Sequence, residues 1–174
     1  MKTRIHKNLL VLVVILLGTT IACDKSENEL KDPAPFTIQK ENYTLVKNSL
    51  FSHEAKSKRS ELYSASFEIE SVERVENNLN INIVFQVGCT NSKYEIIWDG
   101  LVMESYPPQA RIYVKRTISD CIYIDAIDRL TLSLDLNELA EKSGNDQILE
   151  AIITVSNASK KQNTENSDFS VPSN

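Results

Sequence analysis

The chain has 174 residues with 24 acidic and 19 basic side chains, a formal net charge of −5, and only 7% aromatic residues. This length suits one ordinary domain and argues against a multidomain enzyme. An acidic chain gains nothing from phosphate neutralisation, so we expect no nucleic acid partner and no polybasic attachment to anionic lipid.

The first 22 residues have the layout of a secretory signal. Lys2, Arg4 and Lys7 supply a basic start, residues 9–17 are apolar without interruption, and residues 18–22 are small or uncharged. A membrane-spanning helix needs roughly 20 apolar residues, about twice the length of this run. We therefore predict a signal peptide over residues 1–22 that is removed from the mature protein.

The stretch Thr20-Ile21-Ala22-Cys23 resembles a bacterial lipobox, in which a small residue precedes a cysteine that is diacylated and becomes the first residue. This resemblance implies a membrane anchor through acylated Cys23 that does not span the bilayer. Residues 24–29 resemble the short acidic export signal of Bacteroidota-type surface lipoproteins, although a solvated linker would have the same composition. We expect lipid anchoring at the outer membrane, facing either the cell surface or the periplasm.

The cysteine count agrees with lipidation. The three cysteines are Cys23, Cys89 and Cys121, so acylation of the first leaves an even pair. Exported proteins fold in an oxidising compartment, where such a pair forms a disulfide. We predict a Cys89–Cys121 bond that closes a loop of about 33 residues and contributes roughly 3–4 kcal/mol.

Alternating apolar residues predict β-strands over most of the remaining chain. The clearest pattern is Leu79, Ile81, Ile83, Phe85 and Val87, which alternate with mostly polar residues. We predict turns at Asn77-Asn78 and Asp99-Gly100, and one short helix over residues 136–142. Further strands are expected over residues 65–69, 94–98, 112–116, 121–124, 130–136 and 149–155.

Seven or eight short strands with almost no helix predict an all-β fold. We expect an immunoglobulin-like antiparallel β-sandwich, with a small β-barrel as the alternative. After the signal peptide, residues 23–60 are predicted to be a lipid-anchored polar stalk that can contribute an opening strand. The sandwich is assigned to residues 61–156 and a disordered tail to residues 157–174.

Few residues in the mature chain could carry catalysis. His53 is its single histidine, and the four glycines of the full sequence, one of them in the signal peptide, form no phosphate-binding loop. One imidazole cannot build a histidine-rich metal cage, and oxidised cysteines supply no thiolate nucleophile. We predict a non-enzymatic protein without metal or cofactor, and a carboxylate-dependent hydrolase is the less favoured alternative.

Residues 88–136 contain Gly-Cys, Trp-Asp-Gly, Pro-Pro-Gln, a second cysteine and Leu-Asp-Leu in that order. This order resembles small Bacteroidota-type lipoproteins of uncharacterised function. Their pattern has a histidine shortly after the first cysteine, where this chain has Ser92. The resemblance implies a domain type and no activity.

Aromatic residues in this segment are candidates for a binding rim. Tyr94, Trp98 and Tyr106, with Pro107 and Pro108, could present flat faces to a sugar ring. Alternatively, Trp98 packs in the core against the disulfide. The Tyr106 loop is the first choice for binding, and its Tyr-Pro bond is a candidate for the cis form.

These features favour an accessory or interaction module of the cell envelope, with envelope proteins or glycans as partners. A carbohydrate-binding surface module is the alternative, and the hydrolase is the third hypothesis.

Overall fold

The computed structural model describes residues 34–50, 57–122 and 124–173. The predicted signal peptide, the predicted lipidation site Cys23, and residues 23–33 and 51–56 of the predicted stalk lie outside the described residues. No helix in the described ranges is long and apolar enough to cross a membrane.

Nine strands form two sheets in the described part of the chain. The strands are β1 (Phe36–Gln39), β2 (Thr44–Lys47), β3 (Glu68–Val75), β4 (Asn78–Gln86), β5 (Cys89–Met103), β6 (Gln109–Cys121), β7 (Ile127–Asp135), β8 (Ile152–Asn157) and β9 (Asp168–Val171). Helix α1 (Leu136–Ser143) and a 3₁₀ helix (Asp146–Leu149) connect β7 to β8.

The predicted β-sandwich is confirmed. One sheet has six strands in the order β1-β2-β5-β6-β8-β9, and the other has three in the order β3-β4-β7. Neither sheet closes on itself. The larger sheet is mixed, because β2 pairs with β5 and β6 pairs with β8 in parallel. Both parallel pairs are joined by long connections through the smaller sheet, as parallel neighbours require.

The alternating patterns correctly predicted the centre of the core. Leu79 and Ile81 on β4 lie opposite Leu134 and Leu132 on β7, and all four side chains are fully buried. They pack between the two sheets with apolar residues of β5, β6 and β8. Burial of a leucine or isoleucine contributes about 1.5–3 kcal/mol.

The short helix is also confirmed, and its ends follow the expected chemistry. The Asp135 carboxylate accepts hydrogen bonds from the backbone N–H groups of Asn137 and Glu138 at the start of α1. Gly144 ends the helix in the left-handed conformation with φ of 67°. A glycine adopts this conformation without the strain that a Cβ would introduce.

The turn predictions were less accurate. The β3–β4 turn lies at Glu76-Asn77, one residue before the predicted position. Asp99-Gly100 is not a hairpin turn, because β5 continues through it to Met103. The β5–β6 register shifts there, and Gly100 has φ of 87°. A bulge and a tight turn both favour a glycine at positive φ, so this signal did not distinguish them.

Both predicted boundaries of the sandwich differ from the structure. The stalk supplies β1 and β2 to the edge of the larger sheet, and the predicted disordered tail supplies β9. Arg59, assigned to the stalk, is buried and forms an ion pair of 3.1 Å with Asp168 of β9. It also donates a 2.6 Å hydrogen bond to the carbonyl oxygen of Ser167. These segments place Leu45 and Val171 in the core, but each strand has only four residues, too few for apolar periodicity to reveal it.

Candidate functional site

The predicted disulfide is present at one end of the sandwich. Cys89 and Cys121 are register partners, so the bond joins the first residue of β5 to the last residue of β6. The pairing continues one step further, since the N–H of Ile122 donates to the carbonyl oxygen of Gly88 at 2.7 Å. A Cβ atom at position 88 would lie 2.2 Å from the backbone carbonyl oxygen of Ile122. Glycine is therefore required for this close approach.

A cleft of about 440 Å³ opens between the two sheets beside this bond. We call it the disulfide-end cleft. Its volume lies within the range of about 300–1,000 Å³ that is usual for small-molecule sites. Apart from the disulfide, its principal lining residues are Phe67, Phe85, Arg116, Ile118, Ile122 and Ile127.

Exposed isoleucines surround the opening of the cleft. Ile122 and Ile127 line it with 73% and 64% of their surface exposed, and Ile124 between them is 44% exposed. We call these three residues the isoleucine rim. Isolated exposed apolar residues are ordinary, but a group beside a concave surface indicates an interaction site.

The cleft has one buried cation, Arg116 of β6, which is 3% exposed. Its guanidinium donates to the carbonyl oxygens of Ser66 and Gln86 at 2.9 and 3.2 Å, and to the hydroxyl of Ser92 at 3.1 Å. It also lies over the Phe85 ring, 4.7 Å from the centroid. Ser92 therefore contributes to holding this arginine.

Tyr94, a predicted rim residue, lies in the core and is 4% exposed. Its ring packs edge-on against Phe67 and at a tilt against Phe85. Both phenylalanines line the cleft, so Tyr94 lies behind its wall. Burial raises the pKa of Tyr94 to about 12; the charge of Arg116 opposes this rise and that of Asp128 adds to it. The prediction of Tyr94 as an exposed residue of a binding rim is therefore wrong.

Trp98 is fully buried, so the core interpretation is confirmed and the rim interpretation is wrong. Its indole N–H donates to the carbonyl oxygen of Leu101 at 3.2 Å. Trp98 lies about nine residues along β5 from Cys89, a distance of roughly 30 Å in an extended strand. It therefore does not pack against the disulfide as predicted.

The Tyr106 loop is exposed as predicted, but it forms no site with Tyr94 or Trp98. Tyr106 projects fully into solvent and Pro107 is exposed, while Pro108 is half-buried. The Tyr106–Pro107 bond is cis, as expected. This loop connects β5 to β6 at the end opposite the disulfide. The carbohydrate-binding hypothesis thus lacks the aromatic platform on which it depended.

Among the described residues, the carboxyl group whose pKa is clearly shifted is Asp168, and it is not in the cleft. Burial alone would raise this pKa, but hydrogen bonds from Ser156, Ser167 and Arg59 and the charge of Arg59 lower it. A general acid needs the opposite shift. In the described ranges, no three histidine, cysteine or acidic residues are grouped to hold a metal ion.

Sequence reasoning missed the disulfide-end cleft and Arg116. A usable signal was the apolar spacing of Ile118, Ile122, Ile124 and Ile127 across a segment that is otherwise polar. The burial of Arg116 also had a sequence signal, because the two-residue period of β6 places Arg116 on the same face as Ile112, Val114 and Ile118.

Comparison with protein-family models, curated proteins and solved structures finds no match to this chain.

Proposed function

We propose that this chain is a lipid-anchored, non-enzymatic interaction module of the cell envelope that binds an apolar ligand or partner group in the disulfide-end cleft. The lipobox-like stretch at Cys23 supports anchoring at the outer membrane. The observation that carries the binding role is the cleft of about 440 Å³ with its isoleucine rim.

The position of the cleft in the fold suits an anchored binding protein. The described chain enters the larger sheet at Phe36, which lies opposite Lys47, and Lys47 in turn lies opposite Trp98 on β5. The cleft lies near Cys89, roughly 30 Å away along the same strand. The point of chain entry is therefore displaced along the sheet from the disulfide, and attachment through the N-terminus leaves the part of the cleft beside the disulfide accessible.

The rim provides part of the apolar surface that association needs. Full burial of one isoleucine contributes about 1.5–3 kcal/mol, so covering the exposed parts of three contributes roughly 3–5 kcal/mol. A micromolar complex requires about 8 kcal/mol. The rim thus supplies about half of that free energy, and contacts inside the cleft supply the rest.

Attachment and orientation are tested together on intact cells. The native chain should sediment with membranes, and Cys23→Ala should be released from them, because only acylation provides the anchor. External protease should digest a surface-facing protein and leave a periplasmic one intact. Membrane retention of Cys23→Ala would contradict the lipid anchor.

Binding in the cleft is tested with a fluorescent apolar dye and two matched variants. Ile127 on the rim and Leu101 near the opposite end are 64% and 59% exposed. Ile127→Asp should abolish most of the dye fluorescence, whereas Leu101→Asp should leave it nearly unchanged. Equal effects of the two variants, or no dye binding by the native chain, would contradict a binding role for the cleft.

A further inference from the structure

We infer that the disulfide-end cleft binds an apolar chain that ends in a carboxylate, of the fatty acid class, and that Arg116 recognises the carboxylate. This inference rests on the proposed binding function and specifies its ligand. Three features of the described residues support it: the charge of Arg116, the unused hydrogen-bond donors beside it and the apolar walls.

Arg116 is a buried cation with no ion-pair partner among the described residues. Carbonyl and hydroxyl oxygens hold it in place but leave its charge uncompensated. Of the nearby acids, Glu68 is bound to Lys160 at 2.5 Å, and Asp128 accepts a hydrogen bond from the N–H of Arg129. Removing a charge from water is costly without an opposite charge, so an anionic ligand group would be strongly favoured here.

Two buried polar atoms have no hydrogen-bond partner in the described residues. They are the Nε of Arg116 and the hydroxyl of Tyr94. The two residues are register partners on β6 and β5, so their side chains are neighbours on the same face. A carboxylate has two oxygens that accept several hydrogen bonds and can satisfy both donors. Such charge-assisted bonds are about twice as strong as neutral ones.

The remaining surface of the cleft suits an alkyl chain. Phe67, Phe85 and Ile118 form its apolar walls, and Ile122 and Ile127 continue them to the opening. Arg116 is the single basic residue in the described lining of the cleft, and the one acid there, Glu68, is paired with Lys160. One positive charge matches a monovalent carboxylate better than a divalent phosphate.

The test compares decanoate with decanol, which share a chain length and differ in the charged group. Titration calorimetry should use the chain without residues 1–22 and with Cys23→Ser, because residues 32–174 form one compact unit by themselves. Decanoate, below its critical micelle concentration, should bind roughly tenfold or more tightly than decanol, because a charged hydrogen bond is involved. Arg116→Gln should reduce decanoate affinity to that of decanol.

Arg116 is also structural, so Arg116→Gln must first show a native circular dichroism spectrum. If that variant does not fold, Asp128→Asn provides the second test. Removing this nearby negative charge should strengthen decanoate binding roughly twofold and leave decanol binding unchanged. Equal affinity of the native chain for decanoate and decanol would overturn the role of Arg116 while retaining the apolar cleft. Absence of binding by both would overturn the proposed function as well.

Discussion

Replacement of both cysteines of the disulfide with serine should lower the free energy of unfolding by about 3.7 kcal/mol at 25 °C. Cys89 and Cys121 are separated by 32 positions, and closing a loop of this size restricts the unfolded chain by that amount in the chain-entropy model. Both residues lie at strand ends, where Cys121 is exposed and Cys89 half-buried. Their replacement therefore creates no large cavity. The change in stability should come mainly from the conformational freedom that the unfolded chain regains when the loop is opened.

Urea unfolding of the native chain and the double variant, followed by circular dichroism, measures this difference. The variant should also show a larger m-value, because its unfolded chain exposes more surface without the cross-link. A reducing agent should destabilise the native chain and leave the double variant unchanged. A loss of less than 1 kcal/mol with equal m-values would refute the reasoning, since it would mean that the unfolded chain keeps β5 and β6 together without the bond.

Three further predictions test other parts of the fold. Trp98→Ala should cost about 3–5 kcal/mol in urea unfolding because it empties a fully buried site, whereas Tyr106→Ala should change stability by less than about 0.5 kcal/mol. Gly88→Ala should destabilise more than Gly144→Ala: both glycines have positive φ, but only at position 88 would the new Cβ meet backbone. Equal thermal shifts would contradict this. The lowered pKa of Asp168 means that its stabilisation is present above the unfolded pKa of about 3.9 and is lost as pH falls through the folded pKa. Asp168→Asn should therefore flatten the acid side of the stability curve, and an unchanged curve would exclude this contribution.

The correct sequence predictions share a local origin. The alternation of β4 and β7 follows from the two-residue period of a strand with one buried face. Helix α1 is marked by Asp135 before it and Gly144 after it, and each satisfies backbone groups within a few residues. The disulfide followed from the number of cysteines.

The incorrect predictions depended on contacts between distant parts of the chain. The domain boundaries were misplaced, because β1, β2 and β9 are short and each forms where a neighbouring strand offers unpaired backbone groups. Arg59 and Asp168 look like solvent-facing residues in the sequence, yet they meet across more than a hundred positions. Tyr94 looks like a surface aromatic because nothing local indicates that Phe67 and Phe85 will cover it.

The sequence by itself determined the fold class, the central strands, the helix and the cysteine pair, because periodicity, capping and residue counts are local or additive properties. Only the tertiary structure decided which aromatic residues are buried, where the disulfide-end cleft opens and that Arg116 lies in it with no counter-ion in the described part of the chain. These features arise where two sheets meet at one end, and the residues that form them are brought together by strand pairing and not by their order in the chain.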